Sequence, residues 1–487
     1  MQNINLTVVA LKEKLDKGEV TSVELVQEFL DRIEALNPTL NAYLYVAKEE
    51  AMAQAQLLDE ERAEGKLRGP LHGIPIGLKD NMSVAGMQNT CASKILEGYI
   101  SPYDATIVTK LKDAGAIILG KLNMDEFAMG SSTEYSAYGK TLNPWDLTRV
   151  PGGSSGGSAA ALAAFMAPVT LGTDTGGSVR QPAAFTNLVG LKPTYGRVSR
   201  YGVTAFGSTL DQVGVFARDV KDCALVLGVL AGLDPMDSTT ADVTVPDYLE
   251  AVSGDLSGVK LALPKSFLKG LAEPMLGMLL KTVETYRRLG AQVDEIDLTY
   301  APNSLAVYYV VASAEASSNL ARFDGIRYGL RATDATTVRD LYINSRTQGF
   351  GDEVKRRIVL GTYVLSAGFY DAYYNTALKV RTLIKDEFKK VFETYDAIIG
   401  PTTPTLPRKL GERSTDVMEE YLNDLYTVTA NIAGVPALSF PMGFHDGLPM
   451  SCQLIGNYFC EGKLLDIAYG FEKEHDYTTR YPQEVAK

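Results

Sequence analysis

Apolar positions along the chain change their spacing several times, and each change predicts a different kind of element. Thr21-Ser22-Val23-Glu24 has the spacing of a capping box. Val23, Leu25, Val26, Phe29, Leu30 and Ile33 then recur with the period of one helix face. Residues 49–64 extend this region as a polar, alanine-rich helix that stops near Gly65. From Gly73 onward the pattern alternates. Short apolar runs at 74–78, 116–119, 169–171 and 188–191 are separated by helical stretches such as 105–114. That rhythm predicts an α/β layer architecture with a largely parallel sheet. A stretch rich in Asp, Thr and Pro at 234–246 reads as a surface connection, after which 259–264 and 292–298 resume strand patterns. Residues 305–395 are mostly helical and tyrosine-rich, with Phe350-Gly351-Asp352 as a break. Runs at 397–401, 437–441 and 450–455 return to strand character, and a helix over 463–474 closes the pattern. No internal repeat is visible.

This organisation predicts a single domain over 1–487. It comprises N-terminal helices over 1–65, a catalytic α/β core over 66–300, a mostly helical insertion over 301–395 and a C-terminal return to the core over 396–487. The late strands have no sheet of their own to join, so they are expected to complete the first one.

Composition narrows the class. A hydrophobic share of 46% with 22% charged residues is that of a globular protein able to bury a large core. A net charge of −12 argues against broad nucleic-acid binding by this chain alone, because such binding needs a basic face. The cysteines at 91, 223, 452 and 460 form no C-x-x-C pair, so they are expected to be free thiols in a reducing compartment. The apolar run at 159–171 is too short to span a bilayer and contains Pro168, and the first twenty residues lack a signal-peptide core. A cytoplasmic location is expected.

Candidate chemistry concentrates in two glycine–serine clusters, Pro151-Gly152-Gly153-Ser154-Ser155-Gly156-Gly157-Ser158 and Asp174-Thr175-Gly176-Gly177-Ser178-Val179-Arg180. Glycine lets a backbone approach a ligand closely, and serine becomes a nucleophile once a base takes its proton. Residues 152–156 also satisfy G-x-S-x-G, the nucleophile elbow, which would need His445 or His475 downstream as the base. A phosphate-binding loop is excluded because no lysine follows the glycines in the required place. A Gly/Ser linker does not fit either, since each cluster runs directly into patterned sequence. With only three histidines in the chain, the clusters favour serine chemistry run by another base, and Lys79 in Gly77-Leu78-Lys79-Asp80 lies upstream.

Taken together, Leu71-His72-Gly73-Ile74-Pro75, the first cluster and Gly172-Thr173-Asp174-Thr175-Gly176-Gly177-Ser178-Val179-Arg180-Gln181-Pro182-Ala183 closely resemble the amidase signature family. The resemblance implies that family's fold, a central mixed, largely parallel sheet flanked by helices with a helical insertion. It implies a Ser-Ser-Lys triad: Ser178 as acyl-ester nucleophile, Ser154 as relay, and Lys79 as base. A cis peptide before Ser154 and an oxyanion hole of Thr175, Gly176, Gly177 and Ser178 amides are implied too. The physical logic is sound, because burial penalises a lysine's charged form and makes it a usable base.

Within the family, residues 121–132, 192–200, 315–320 and 355–362 resemble the glutaminase components of tRNA-dependent amidotransferases. That implies hydrolysis of glutamine to glutamate and ammonia. The ammonia would serve a B subunit that converts Glu-tRNA(Gln) to Gln-tRNA(Gln), or Asp-tRNA(Asn) to Asn-tRNA(Asn), with ATP and magnesium. A small C subunit would brace this heterotrimer, the mischarged tRNA would be held mainly by B, and this chain would carry no cofactor or metal of its own. Free glutamine is a zwitterion and needs a cation and an anion to hold it. By resemblance Arg357 (or its neighbour Arg356) and Asp424 fill those roles, with Tyr309 (or Tyr308) adding a hydrogen bond. The alternative is a stand-alone amidase acting on another small amide, which has no use for both Arg357 and Asp424.

Overall fold

The computed structural model describes residues 3–412 and 421–483. Eleven strands form one sheet. They are β1 (Tyr43–Val46), β2 (Pro75–Lys79), β3 (Ile117–Leu122), β4 (Thr170–Asp174), β5 (Val189–Lys192), β6 (Gln212–Ala217), β7 (Lys260–Pro264), β8 (Gln292–Ile296), β9 (Ala397–Pro401), β10 (Ala437–His445) and β11 (Leu448–Gly456). Their order across the sheet is β1-β3-β2-β4-β6-β5-β10-β11-β9-β7-β8. Strands β2 to β5 and β9 are buried along their whole length, which is why they read as short continuous apolar runs rather than alternating ones.

The expected mixed sheet flanked by helices is present. Parallel pairing is confined to two blocks, β3-β2-β4 and β8-β7-β9, while the strands between them pair antiparallel. One of these antiparallel pairings has a plain local reason. Asp446 and Gly447, both at positive φ, fold β10 and β11 into a tight hairpin, and a hairpin can only pair antiparallel. As expected, the late strands join the first sheet: β10 pairs with β5, and β9 pairs with β7.

The N-terminal capping box forms as predicted. Thr21 N donates to Glu24 at 2.9 Å and Glu24 N to the Thr21 hydroxyl at 3.1 Å, opening the helix Ser22–Leu40. The helical stretch beyond β8 contains Ser304–Asn319, Val338–Gly349, Asp352–Val364 and Thr376–Val391, and it is interrupted at Phe350-Gly351 where the sequence signals a break. One hydrophobic core runs from Val8 to Phe471 and includes side chains from both ends of the sheet. The four cysteines are free, three of them buried. Among the described residues no helix is long and apolar enough to cross a membrane.

Candidate active site

The parallel block β3-β2-β4 brings the C-terminal ends of three strands to one edge, the place where α/β sheets present their chemistry. Lys79 ends β2, Asp174 ends β4, and the residues just after β3 lead to Asp125. Ser154 lies two residues before the wholly buried helix Gly156–Ala163, which packs against β2, β3 and β4. That packing is close. A Cβ on Gly157 would lie 2.3 Å from the Asn123 carbonyl oxygen, so only glycine fits there.

Lys79 and Ser154 meet directly. The Lys79 Nζ donates to Ser154 Oγ at 2.7 Å, to Ser155 Oγ at 2.8 Å and to the Thr173 carbonyl at 3.4 Å. Lys79, Ser154 and Ser155 are fully buried. Burial pulls the Lys79 ammonium down to about 7, although the carboxylates of Asp125, Asp174 and Asp211 pull the other way. The Gly153–Ser154 peptide is cis. Ser178, which is 8% exposed, joins the cluster through its backbone: its carbonyl accepts from the Ser155 amide at 3.3 Å.

The loop before Ser178 is built on Asp174. This carboxylate accepts from the Gly177 amide at 2.9 Å and the Val179 amide at 3.2 Å, and it is gripped by Arg180 Nε at 3.1 Å and Nη2 at 3.0 Å. Burial alone would raise the Asp174 carboxyl. Arg180, aided by Lys192 and Asn431, outweighs burial and holds it at about 2. Of the four amides expected to line an oxyanion hole, that of Gly177 therefore already faces Asp174. Thr175 is held from its other side, its hydroxyl donating to Asp211 at 2.7 Å.

The expected glutamine-binding residues lie together, and Tyr308 and Thr427 beside them touch this loop. Tyr309 donates its hydroxyl to Asp424 at 2.8 Å and stacks on Tyr421 with ring centroids 3.6 Å apart. The Arg357 guanidinium lies 5.5 Å from the ring centres of Phe206 and Tyr309, close enough for cation–π attraction. Its Nε donates to Glu353 at 2.8 Å. The two neighbouring arginines differ in exposure: the Arg356 side chain is 48% exposed, that of Arg357 only 5%. Tyr308 and Tyr309 divide the work. A Cβ on Gly176 would come within 2.5 Å of the Tyr308 ring, so Tyr308 packs on the loop while Tyr309 reaches Asp424. A second tie is Thr427, whose hydroxyl donates to the Gly176 carbonyl at 2.6 Å. Burial pushes the Asp424 carboxyl up to about 7, against the opposing effects of Tyr309 and Arg357.

The elbow alternative finds no support in this arrangement. Ser154 accepts from Lys79, whereas His445 is exposed in the β10–β11 turn beside Asp446, and His475 stacks between Phe471 and Tyr477. Several contributors escape a reading of the sequence. Ser155 and Asp125 lie inside the dense motifs, where nothing separates them from their neighbours. Thr427, Asn431 and Glu353 carry no local mark, because their partners in the loop or helix are set by the fold. The bonding pattern locates the site, not cavity size. Clefts of about 350 and 700 Å³ elsewhere are lined by none of these residues.

The model of the amidase family matches residues 24–465. The chain is 56% identical over 487 residues, all of both chains, to a glutamyl-tRNA(Gln) amidotransferase A subunit of Clostridium acetobutylicum. The crystal structure of the glutamyl-tRNA(Gln) amidotransferase A subunit from Thermotoga maritima aligns with a TM-score of 0.83 at 41% identity, covering 100% of this chain and 99% of that one. The native peptide amidase of Stenotrophomonas maltophilia aligns with a TM-score of 0.82 at 32% identity over 96% of each chain. A buried lysine–serine pair on this fold, a family match over residues 24–465 and full-length identity of 56% to a relative together establish that the chain belongs to the amidase family.

Proposed function

We propose that this chain is the glutaminase subunit of a tRNA-dependent amidotransferase, with Ser178 as nucleophile, Ser154 as relay and Lys79 as base. The observation that carries the glutamine assignment is the set of buried Arg357 and Tyr309 with half-buried Asp424, tied to the nucleophile loop through Tyr308 and Thr427 at Gly176. A cation and an anion at one end of a site suit the α-carboxylate and α-ammonium of an amino acid, leaving the side-chain amide for Ser178. The family resemblance supplies the rest of the reading: this chain passes ammonia to a B subunit that uses ATP and magnesium, with a C subunit bracing the pair, and the relatives' naming as A subunits of an amidotransferase supports a chain that works in a complex. The same names favour Glu-tRNA(Gln) over Asp-tRNA(Asn) as the acceptor. A net charge of −12 suits a cytoplasmic subunit that leaves the tRNA to its partner.

In this reading Ser178 Oγ attacks the amide carbon while its proton passes through Ser154 to Lys79. The oxyanion is stabilised by the amides of Thr175, Gly176 and Ser178, each donor contributing about 3 kcal/mol. The C–N bond then breaks as nitrogen takes the proton back along the same relay, and ammonia leaves. Water attacks the acyl ester, its proton goes to the relay, and glutamate departs as Ser178 Oγ is reprotonated. A neutral amine is needed at the start, and a Lys79 pulled down to about 7 is deprotonated in roughly half the molecules at neutral pH.

Fold likeness alone does not choose between this reading and a stand-alone amidase, since the peptide amidase aligns nearly as well as the Thermotoga protein. The test is glutamate release from glutamine, with and without the partner subunits, for the wild type and Ser178→Ala. A loss of about 10³-fold or more in the variant is expected, with strong dependence on the partners. Equal rates would remove Ser178 from the mechanism, and full activity of the isolated chain would favour the stand-alone amidase.

A further inference from the structure

We propose that Glu126 is a positioning residue that fixes Arg357 relative to the Ser154 loop, so that Asp125-Glu126 sets the length of amino-acid amide the site accepts. The proposal rests on the reading of Arg357 as the carboxylate-binding group.

The helix Asp352–Val364 carries Arg357, and it starts at Gly351, which has no side chain to cap it. A helix start leaves N–H groups in need of acceptors and favours a negative charge nearby. Glu126 supplies the acceptors from a distant part of the sequence, and a negative charge when it is ionised, burial raising its carboxyl to about 7. Its two carboxylate oxygens accept from the Gly351 amide at 2.9 and 3.1 Å. In an ordinary capping box the same amide is served by a glutamate on the helix itself. The fit leaves no slack: a Cβ on Gly351 would lie 2.3 Å from Glu126 Oε2. Glu126 is 3% exposed and is held in turn by the Ser93 hydroxyl.

The preceding residue faces the other end of the site. The Asp125 amide donates to the Ser154 carbonyl at 3.1 Å. Its carboxylate gathers the amides of Ser132, Thr133 and Tyr135 at 3.2, 2.9 and 3.1 Å, and a Cβ on Gly153 would strike it at 2.1 Å. Two adjacent residues thus seat the relay serine's loop and the start of the Arg357 helix. The turn between these contacts and the rest of the chain is stiff. Phe127 and Ala128 both have left-handed backbones, at φ 49° and 62°, and Phe127 is wedged against Phe323 and Phe350. A non-glycine residue holds such a conformation only where its surroundings fix it. A shift of the helix start would move Arg357 along the helix axis, changing the span between the carboxylate contact and Ser178.

The test uses the full-length chain in the complex that supports its glutaminase activity. Glu126→Ala is expected to raise KM for glutamine about tenfold, and the inhibition constant of glutamate about equally, with kcat within about twofold. Glu126→Gln keeps an acceptor without the charge, so it serves if the alanine variant fails to fold; its KM is expected to rise about threefold. If Glu126 acts through Arg357, Glu126→Ala adds little to the KM of Arg357→Lys, because the two changes remove one function. Unchanged KM in both Glu126 variants, or a fall in kcat as large as that in kcat/KM, would overturn the proposal. Should Arg357→Lys raise KM while the Glu126 variants do not, only this proposal falls. An Arg357→Lys enzyme with normal KM would instead overturn the substrate reading, and this proposal with it.

Discussion

Lys79 Nζ stands 2.7 Å from Ser154 Oγ, and neither side chain reaches solvent. An ammonium in water has no reason to give up its proton near neutral pH. Here desolvation outweighs three nearby carboxylates, and the amine is pulled down to about 7. The amine is held near neutrality because of where β2 ends, at the buried edge that β3 and β4 also supply.

The rate of turnover should therefore follow the deprotonation of Lys79. Since the base is competent only above its pKa, kcat for glutamate release is expected to fall about tenfold per unit below pH 7 and to level off above it. Lys79→Arg places a permanent cation in the same position, so kcat should drop by about 10²–10⁴ with no recovery at high pH. A flat profile in the wild type, measured as kcat from pH 5.5 to 9, would exclude Lys79 as the titrating base.

Binding should titrate separately. Burial pushes Asp424 up to about 7, so in the free enzyme it becomes anionic only near neutrality. Its charge is what an α-ammonium requires, so KM for glutamine is expected to rise as pH falls below 7 and to settle above it. Asp424→Asn should raise KM by roughly ten- to a hundredfold and abolish that pH dependence, since a charge-assisted contact contributes about 1.5–3 kcal/mol. A kcat/KM profile in both enzymes separates this effect from Lys79, because only the wild type loses two proton-linked terms at low pH.

Much of this was legible in the sequence, for reasons that differ by residue. Lys79, Ser154 and Ser178 stand in dense motifs whose glycines have steric causes now visible, such as the 2.1 Å approach of Asp125 to a Cβ on Gly153. The buried strands announced themselves as short apolar runs. β6 did not, nor did β1: β1 is only half-buried along most of its four residues, so its pattern is diluted. Arg357 could not be separated from Arg356 by composition, because only the helix's rotation buries one and exposes the other. Glu353 and Asn431 were invisible for a related reason. Each acts on a charged partner brought to it by folding: Glu353 on Arg357, four residues away on one helix face, and Asn431 on Asp174, 257 residues away. Linear proximity marks motifs, but a partner such as Asn431 is recruited from wherever the fold delivers it.

The Asp174–Arg180 pair gives the sharpest stability test. Both side chains are fully buried, and the Arg180 guanidinium also donates to the Thr427 carbonyl at 2.9 Å, Gln453 at 3.2 Å and Asn431 at 2.6 Å. Removing the cation strands a buried carboxylate, so Arg180→Met is expected to cost about 3–5 kcal/mol at pH 7, read from the shift of the urea midpoint. The sign of the pH effect follows from Asp174. Its folded value of about 2 lies below the ordinary 3.8, so the pair's stabilisation is complete above about pH 4 and is lost as pH falls toward 2. The gap between wild type and Arg180→Met should therefore narrow over that acidic window. Adding Asp174→Asn to the variant neutralises the stranded charge and should recover part of the loss at pH 7, making the double variant more stable than Arg180→Met alone. If the double variant is instead less stable by the sum of both single changes, the two side chains act independently, and the loop before Ser178 is not held by their pairing.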